Sequence, residues 1–307
     1  MDAMTRGAVA MLALCAAAGL RAENVASGKG QLGEGEEFAP HHAYAYQTGE
    51  GEKKRLHLVL TEQDPPRAAW DEAGDRADAR AAWCRSTKQP YFALEIKPSG
   101  EVDIARKCDR AGMTRMEMVN VMNGLPSIAL KLDANDGKRA KGSVETGEGA
   151  CGTNDAPPKY CTATGSYTFD ATLAPPPLID RIWATGNAKA PELAAATKAL
   201  QAYWDAAGKA ASIGDLRPHF SAERAAQVDA QQKEAGEMMD RLFKNMFVPA
   251  HQGPLTIAGG RVLGAAAVID TTNNVARRDK TSVQSCRTLM RNEGGAWKVE
   301  KELCTTQ

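Results

Sequence analysis

The chain has 307 residues, with 38 Lys and Arg against 38 Asp and Glu, so its formal net charge is zero. This balance provides no long-range attraction to nucleic acid or to an anionic membrane, which excludes functions that depend on a basic surface. The length exceeds that of one usual hydrophobic core, so we expect two domains of roughly 140 residues each.

Residues 1–22 are predicted to be a cleaved secretory signal. An uncharged apolar run extends from Gly7 to Leu20, and Ala22 offers a small residue at the cleavage site. The run has 14 residues, whereas a helical membrane anchor needs roughly 20, so we expect no such anchor. Acylation of Cys15, as in a lipoprotein, is disfavoured because the residue before it is a leucine rather than a small residue. The signal predicts a periplasmic or secreted protein.

Six cysteines remain once this signal is removed, and an even number in an exported chain predicts a disulfide framework. Spacing alone does not fix which cysteines pair. We favour pairing in sequence order, because each pair then falls within one structural unit. The pairs would be Cys84–Cys108, Cys151–Cys161 and Cys286–Cys304.

Residues 23–37 are rich in Gly and Glu, which predicts a flexible linker. Gly28, Gly30 and Gly33 match the letters of the G-x-G-x-x-G dinucleotide fingerprint. That fingerprint places a helix N-terminus against a pyrophosphate, and here the pattern shows no strand before the glycines and no apolar helix after them. No cofactor is therefore predicted.

Residues 38–174 are predicted to form an antiparallel β domain, a sheet or a sandwich, with one helix. Apolar residues alternate with other residues along segments such as 56–60, which is typical of half-buried strands. The helix is expected over residues 65–83, with Asp64 as its N-cap. Its main apolar anchors are Trp70 and Trp83.

Residues 175–190 begin with three consecutive prolines and are predicted to be a linker before a second domain at 191–307. Amphipathic patterns predict helices over 191–211 and 221–247, the second with Ser221 as its N-cap. The apolar stripe of the second helix consists of Ala235, Met238, Met239, Leu242 and Met246.

Two predicted hairpins close the chain. One turn is expected at Gly259–Gly260 and the other at residues 293–295, because glycine accepts the backbone angles of tight turns. The predicted strands are 254–258, 261–270, 281–291 and 296–304.

The second predicted domain has helices first and a hairpin-rich sheet after them. The last of its hairpins contains residues 290–299, which read MRNEGGAWKV. This arrangement resembles the superfamily of nuclear transport factor 2, ketosteroid isomerase and SnoaL-like proteins. The likeness covers residues 193–303, while residues 38–174 resemble no family that we recognise. The resemblance implies an α+β fold in which a curved sheet wraps the helices into a cone-shaped barrel whose mouth can hold a ligand.

Enzymes of that superfamily use carboxylates or a His–Asp pair in a pocket that excludes water. Tyr203, Asp215 and His219 are the weak candidates for such chemistry here, but they match no known catalytic set, so no catalytic role is assigned. No metal site is predicted. His41 and His42, for example, are adjacent on a strand and point to opposite faces.

The sequence thus predicts a two-domain exported α+β protein without enzymatic activity, which binds a small hydrophobic ligand or an envelope protein through the cone. Two alternatives stay open. The first is an isomerase or hydrolase-like enzyme that uses the cone pocket, and the second is a structural module of the envelope. An open pocket with a buried carboxylate would favour the enzyme, and an interior filled by the protein's own side chains would favour the structural module.

Overall fold

The computed structural model describes residues 24–32, 36–118, 128–146, 163–277 and 280–306. The predicted signal with Cys15, and the predicted Cys151–Cys161 pair, lie outside the described residues. The chain divides into two compact units, Met1–Asp71 with Ala77–Pro175 and Glu72–Arg76 with Pro176–Gln307. The division falls within the run of three prolines.

The first unit is built on an antiparallel sheet that has ten strands within the described residues. The strands are β1 (Val25–Leu32), β2 (Glu37–Phe38), β3 (His42–Thr48), β4 (Arg55–Thr61), β5 (Tyr91–Ile96), β6 (Val102–Cys108), β7 (Thr114–Met118), β8 (Ile128–Asn135), β9 (Arg139–Thr146) and β10 (Ala163–Thr172). Their order is β7-β6-β5-β4-β3-β1-β10-β9-β8, and β2 pairs with β1. Helices α1 (Arg67–Glu72) and α2 (Arg76–Thr87) follow β4.

One face of this sheet is buried by other strands of the same sheet. Its apolar cluster takes buried residues from β1 to β6 and from β8 to β10, and includes Leu56, Leu58 and Leu60. A single sheet buries one face without a second layer by curling around it, and the sheet forms a half-barrel. The alternation predicted over 56–60 is confirmed, because Val59 points to the opposite face and packs in a different cluster.

The opposite face of the sheet is covered by α1 and α2. Trp70 on α1 is buried among Tyr44, Tyr46 and Tyr91. The predicted disulfide between Cys84 and Cys108 is confirmed, with a Cα–Cα distance of 6.5 Å. It joins α2 to β6 and therefore fixes the helical layer to the sheet.

The single helix predicted over 65–83 is wrong, because the chain breaks between α1 and α2. The five residues at the break, Glu72–Arg76, belong to the second unit. A Cβ atom on Gly74 would lie 2.3 Å from Glu300 Oε1, so a larger residue at this position would displace the Glu300 side chain. Asp75 also forms an ion pair with Lys301. Contacts with residues more than 200 positions away thus override the local helical pattern.

The flexible linker predicted at 23–37 is also wrong, since β1 occupies most of it. This strand pairs antiparallel with β10 through its backbone, and its small and polar side chains gave no apolar alternation to detect. Gly30 lies opposite Gly165, and a Cβ on Gly30 would lie 2.0 Å from the hydroxyl oxygen of Tyr167. Gly30 therefore serves close packing within the sheet.

Replacing Gly28 by alanine is expected to lower the free energy of unfolding by roughly 3 kcal/mol. Gly28 has φ +133°, and a Cβ atom there would lie 2.1 Å from the backbone oxygen of Ser166. Gly137 is the matched control, because its φ is +84° but nothing lies within 4 Å of the added Cβ. Gly137→Ala should cost only about 1 kcal/mol. Equal losses in urea denaturation of the two variants would contradict the steric role of Gly28.

Alkaline pH is expected to destabilise the first unit through Tyr167. Burial raises the pKa of Tyr167 to about 12, so the folded state holds a proton that the unfolded chain releases near pH 10. The contribution is complete below pH 10 and is lost as pH rises towards 12, at up to about 1.4 kcal/mol per pH unit. In Tyr167→Phe this part of the slope should vanish from urea denaturation measured between pH 9 and 11.5. An unchanged slope would contradict the prediction.

The second unit places helices against a four-stranded antiparallel sheet. Its helices are α3 (Leu178–Thr185), α4 (Glu192–Ala207), α5 (Ala222–Ala235), α6 (Glu237–Leu242) and α7 (Val248–Ala250), with a 3₁₀ segment at Ile213–His219 and a π-helical segment at Phe243–Phe247. Its strands, in sheet order, are β11 (Thr256–Leu263), β12 (Ala266–Arg277), β13 (Lys280–Glu293) and β14 (Ala296–Thr306).

The linker predicted at 175–190 contains α3, which is a correction. Leu178, Ile179 and Ile182 lie on one face of this helix and are buried. They pack against Val268 and Leu289 on one side of the sheet. The prolines therefore precede a helix that belongs to the second unit.

The turn predicted at Gly259–Gly260 is wrong, because β11 runs through both residues. A Cβ on Gly260 would lie 2.7 Å from Leu193 Cδ1, so this glycine allows α4 to approach the strand. The chain turns instead at Gly264, whose φ is +59°. The second predicted turn is confirmed, since Gly294 and Gly295 join β13 to β14.

The helix predicted over 221–247 is interrupted. Ser221 caps α5 as predicted, accepting a hydrogen bond from the Arg224 N–H at 3.2 Å. Gly236, with φ +49°, then ends α5, and the chain continues as α6. The stripe expected to be buried is instead largely exposed, at Met238, Leu242 and Met246.

The predicted disulfide between Cys286 and Cys304 is confirmed. The two residues are directly opposite each other on β13 and β14, with Cα atoms 4.1 Å apart. The bridge therefore joins the two arms of the last hairpin, as its spacing from the turn predicted.

Candidate functional site

The side of the second sheet that faces α4 changes from apolar to polar along its strands. Residues that are directly opposite on neighbouring strands share a face, so the pairing register defines rows across the sheet. The row Ala267–Met290–Val299 is apolar and packs against α4. The following rows are Ile269–Thr288–Glu302, Thr271–Cys286–Cys304 and Asn273–Gln284–Thr306.

The middle of this side holds a buried hydrogen-bonded cluster of Tyr203, His251 and Glu302. The Tyr203 hydroxyl donates to Glu302 Oε2 at 2.5 Å. His251 Nε2 lies 3.4 Å from Glu302 Oε1. The side chain of Glu302 is 12% exposed and that of His251 is 6% exposed. A carboxylate is thus enclosed with two partners from separate helical elements, α4 and the end of α7.

His251 Nε2 and Glu302 Oε1 can form a hydrogen bond only if one of the two groups carries a hydrogen at this contact. Nδ1 lies 2.8 Å from the backbone oxygen of Phe247, which only accepts, so Nδ1 carries a hydrogen. In a neutral ring Nε2 would then be an acceptor facing another acceptor, Glu302 Oε1. The contact is favourable only when either the imidazole or the carboxyl group is protonated.

Aromatic side chains hold this pair in place. The ring of Phe247 stacks on that of His251 with centroids 4.0 Å apart, and Trp204 lies on it at 4.4 Å. Trp204 is itself fixed, since its Nε1–H donates to the carbonyl of Gly253 at 3.1 Å. Burial, followed by the neighbouring carboxylate of Glu302, raises the pKa of Tyr203 well above its usual value. Tyr203 therefore stays a neutral donor.

The last row ends in two buried amide oxygens that lack partners. Asn273 is 5% exposed and Gln284 is 8% exposed. Asn273 Nδ2 donates to the carbonyl of Ala250 at 3.0 Å. Within the part of the chain that the structure describes, neither Asn273 Oδ1 nor Gln284 Oε1 has a hydrogen-bond partner. Buried acceptors of this kind are rare and need an explanation.

Of the three residues that the sequence suggested, the structure brings only Tyr203 into this cluster. Asp215 is exposed and accepts hydrogen bonds from the backbone N–H groups of Ser212 and Ala211. These bonds lower its pKa, as expected for a capping residue. His219 lies beside Tyr203, with ring centroids 6.2 Å apart, and burial and then Lys298 lower its pKa. Asp215 and His219 therefore do not form a pair.

The sequence did not suggest His251 or Glu302. A β-bulge in β14 pairs Leu289 with Lys301 but Met290 with Val299. The bulge inverts the alternation of the strand, so Glu302 faces the helices although simple alternation from Val299 would point it outwards. The sequence signal available for this face was the alternation of inward residues along β13, which continues without a bulge in its pairing with β12. Only the pairing of β14 with that strand shows that Glu302 faces the helices.

No model of a known protein family and no curated protein matches this chain. Within the described residues, no three His, Cys, Asp or Glu side chains lie close enough to hold a metal ion. Among the helices that the structure describes, none is both long and apolar enough to cross a membrane.

Proposed function

We propose that this chain is an exported, disulfide-stabilised binding protein of the cell envelope without enzymatic activity. Its second unit would be a cone-shaped barrel of the nuclear transport factor 2-like kind, and would hold a small, mainly apolar ligand. The observation that carries the proposal is the pair of unpartnered amide oxygens on Asn273 and Gln284. Polar groups with no partner in the protein are typical of a site that a ligand completes.

The arrangement of the second unit supports the cone. Helix α4 packs in one apolar cluster with residues of all four strands, and the sheet is an antiparallel meander whose strands pair in sequence order. The bonds Cys84–Cys108 and Cys286–Cys304 support export, because disulfides persist in oxidising compartments. A periplasmic or secreted location follows from the predicted signal.

Native mass spectrometry of the protein purified from its own envelope fraction tests this proposal. We expect an excess over the mass of the oxidised chain that starts at Glu23, and release of that excess as a small molecule on denaturation. Protein expressed without its signal and refolded gives the ligand-free reference mass. Identical masses for the two preparations, at several protein concentrations, would count against a bound ligand and favour the structural module.

The second candidate function is a proton-transfer enzyme that uses the same unit. The specific observation is the buried contact of the Glu302 carboxyl group with His251 and with the hydroxyl of Tyr203, which is a neutral donor. The two functions differ in what happens to a bound molecule. A catalyst would convert it, and Glu302→Gln would stop the conversion, whereas a binding protein would return it unchanged.

A further inference from the structure

We infer that the ligand is held through a neutral hydrogen-bond donor, a hydroxyl or an amide N–H, that reaches Asn273 Oδ1 and Gln284 Oε1. This inference rests on the proposed binding function and names the chemistry of its ligand. The two residues are directly opposite on β12 and β13, so their side chains leave the same face about 5 Å apart. One donor group can therefore approach both oxygens.

The orientation of the Asn273 amide is set by the protein. Its Nδ2 donates to the carbonyl of Ala250, so Oδ1 is the atom left for another molecule. An unsatisfied buried acceptor lowers the stability of the folded chain, and here two adjacent acceptors are retained. A donor supplied from outside the chain accounts for both of them.

The surroundings favour a neutral donor over a cation. The carboxylate on the same side of the sheet, Glu302, lies two rows away and already accepts from Tyr203 and lies against His251. An ammonium group beside two amide oxygens would be buried without a counter-ion, which costs far more than burying a hydroxyl. Divalent metal ions need more oxygen ligands, and carboxylates among them, than this pair supplies.

The ligand would enter from the rim of the sheet. Thr306 completes the row of Asn273 and Gln284 and is exposed, so this row ends at the surface of the unit. Ile257 on β11 belongs to the adjacent row and is 36% exposed. The apolar part of a ligand could therefore cover Ile257 while its donor reaches the amides.

Four probes that carry linear alkyl chains of similar length and one matched pair of variants test the inference. Hexan-1-ol and hexanamide carry neutral donors, methyl hexyl ether carries only an acceptor, and hexylammonium carries a charged donor. Binding is measured by NMR titration of the ¹⁵N-labelled full mature chain, following the side-chain amides of Asn273 and Gln284. We expect saturable shifts with the two neutral donors and binding at least about tenfold weaker with the ether and the ammonium.

Gln284→Met removes one unpartnered oxygen and keeps a similar side-chain volume. Gln201→Met is the control, because it makes the same change on α4, where the Gln201 amide already donates to Asp205. We expect Gln284→Met to raise Tm of the ligand-free protein and to weaken hexan-1-ol binding at least about tenfold. Gln201→Met should change neither. A fall in Tm with Gln284→Met, together with equal binding of alcohol and ether, would show that water satisfies the oxygens and would overturn the inference.

The outcomes separate the ligand class from the binding function. If native mass spectrometry finds a bound molecule that lacks a hydroxyl or an N–H group, the donor inference fails and the binding function stands. If the isolated molecule carries such a group and Gln284→Met loses it while Gln201→Met retains it, both stand. If no molecule is isolated and no probe binds, both fail.

Discussion

Replacing Glu302 by alanine is expected to lower the free energy of unfolding by about 3 to 5 kcal/mol. The carboxylate accepts the hydroxyl hydrogen of Tyr203 and lies against His251, and all three side chains are largely buried. Without it, the Tyr203 hydroxyl loses its acceptor and His251 Nε2 loses its neighbouring carboxyl oxygen. Urea denaturation of the oxidised protein, followed by tryptophan fluorescence, measures the loss.

Glu302→Gln is the matched variant. The amide oxygen still accepts from Tyr203, so this change should cost only about 1 to 2 kcal/mol. A double-mutant cycle of Glu302→Ala with Tyr203→Phe should give a coupling energy of about 1 kcal/mol, because each single change removes the one hydrogen bond that the two residues share. A loss below about 1 kcal/mol for Glu302→Ala would mean that solvent replaces the carboxylate, which would contradict its burial.

Patterns that depend on neighbouring residues predicted much of the fold. The alternation at 56–60 indicated a half-buried strand, and the placement of Cys286 and Cys304 around the last turn indicated a cross-strand bridge. In both cases the structure is decided by side chains that lie within one strand or one hairpin. Local periodicity is informative there because burial follows the period of the backbone.

The errors in the fold have the opposite cause. Val25–Leu32 form β1 although the composition of residues 23–37 is typical of a linker, because the strand is held by backbone pairing with β10 more than 130 residues later. The break at Gly74 likewise depends on Glu300, which the helical pattern around residue 74 does not contain. Long-range contacts override propensity in both places.

The candidate site was found only in part for the same reason. Tyr203 was suggested because it lies on an amphipathic helix, but its partners come from the end of α7 and from β14. Glu302 is turned inwards by a bulge, which no alternation pattern contains. His251 gains a role only when Phe247, Trp204 and Glu302 surround it.

Replacing Trp70 by alanine is expected to cost about 3 to 5 kcal/mol of unfolding free energy. Trp70 is 2% exposed, and its ring lies 5.2 Å from that of Tyr44 and 5.5 Å from that of Trp83. Removing it would leave a cavity between α1 and the outer face of the half-barrel. The loss should appear in urea denaturation of the oxidised protein.

Trp83→Ala is the control for the same helical layer. Trp83 is only partly buried at the margin of this cluster, so its removal leaves a smaller cavity and should cost about 1 to 2 kcal/mol. The Cys84–Cys108 bond holds α2 on the sheet in both variants, so the difference reports packing rather than detachment of the helix. Equal losses would mean that the disulfide, and not Trp70, is the main attachment of the helical layer to the sheet.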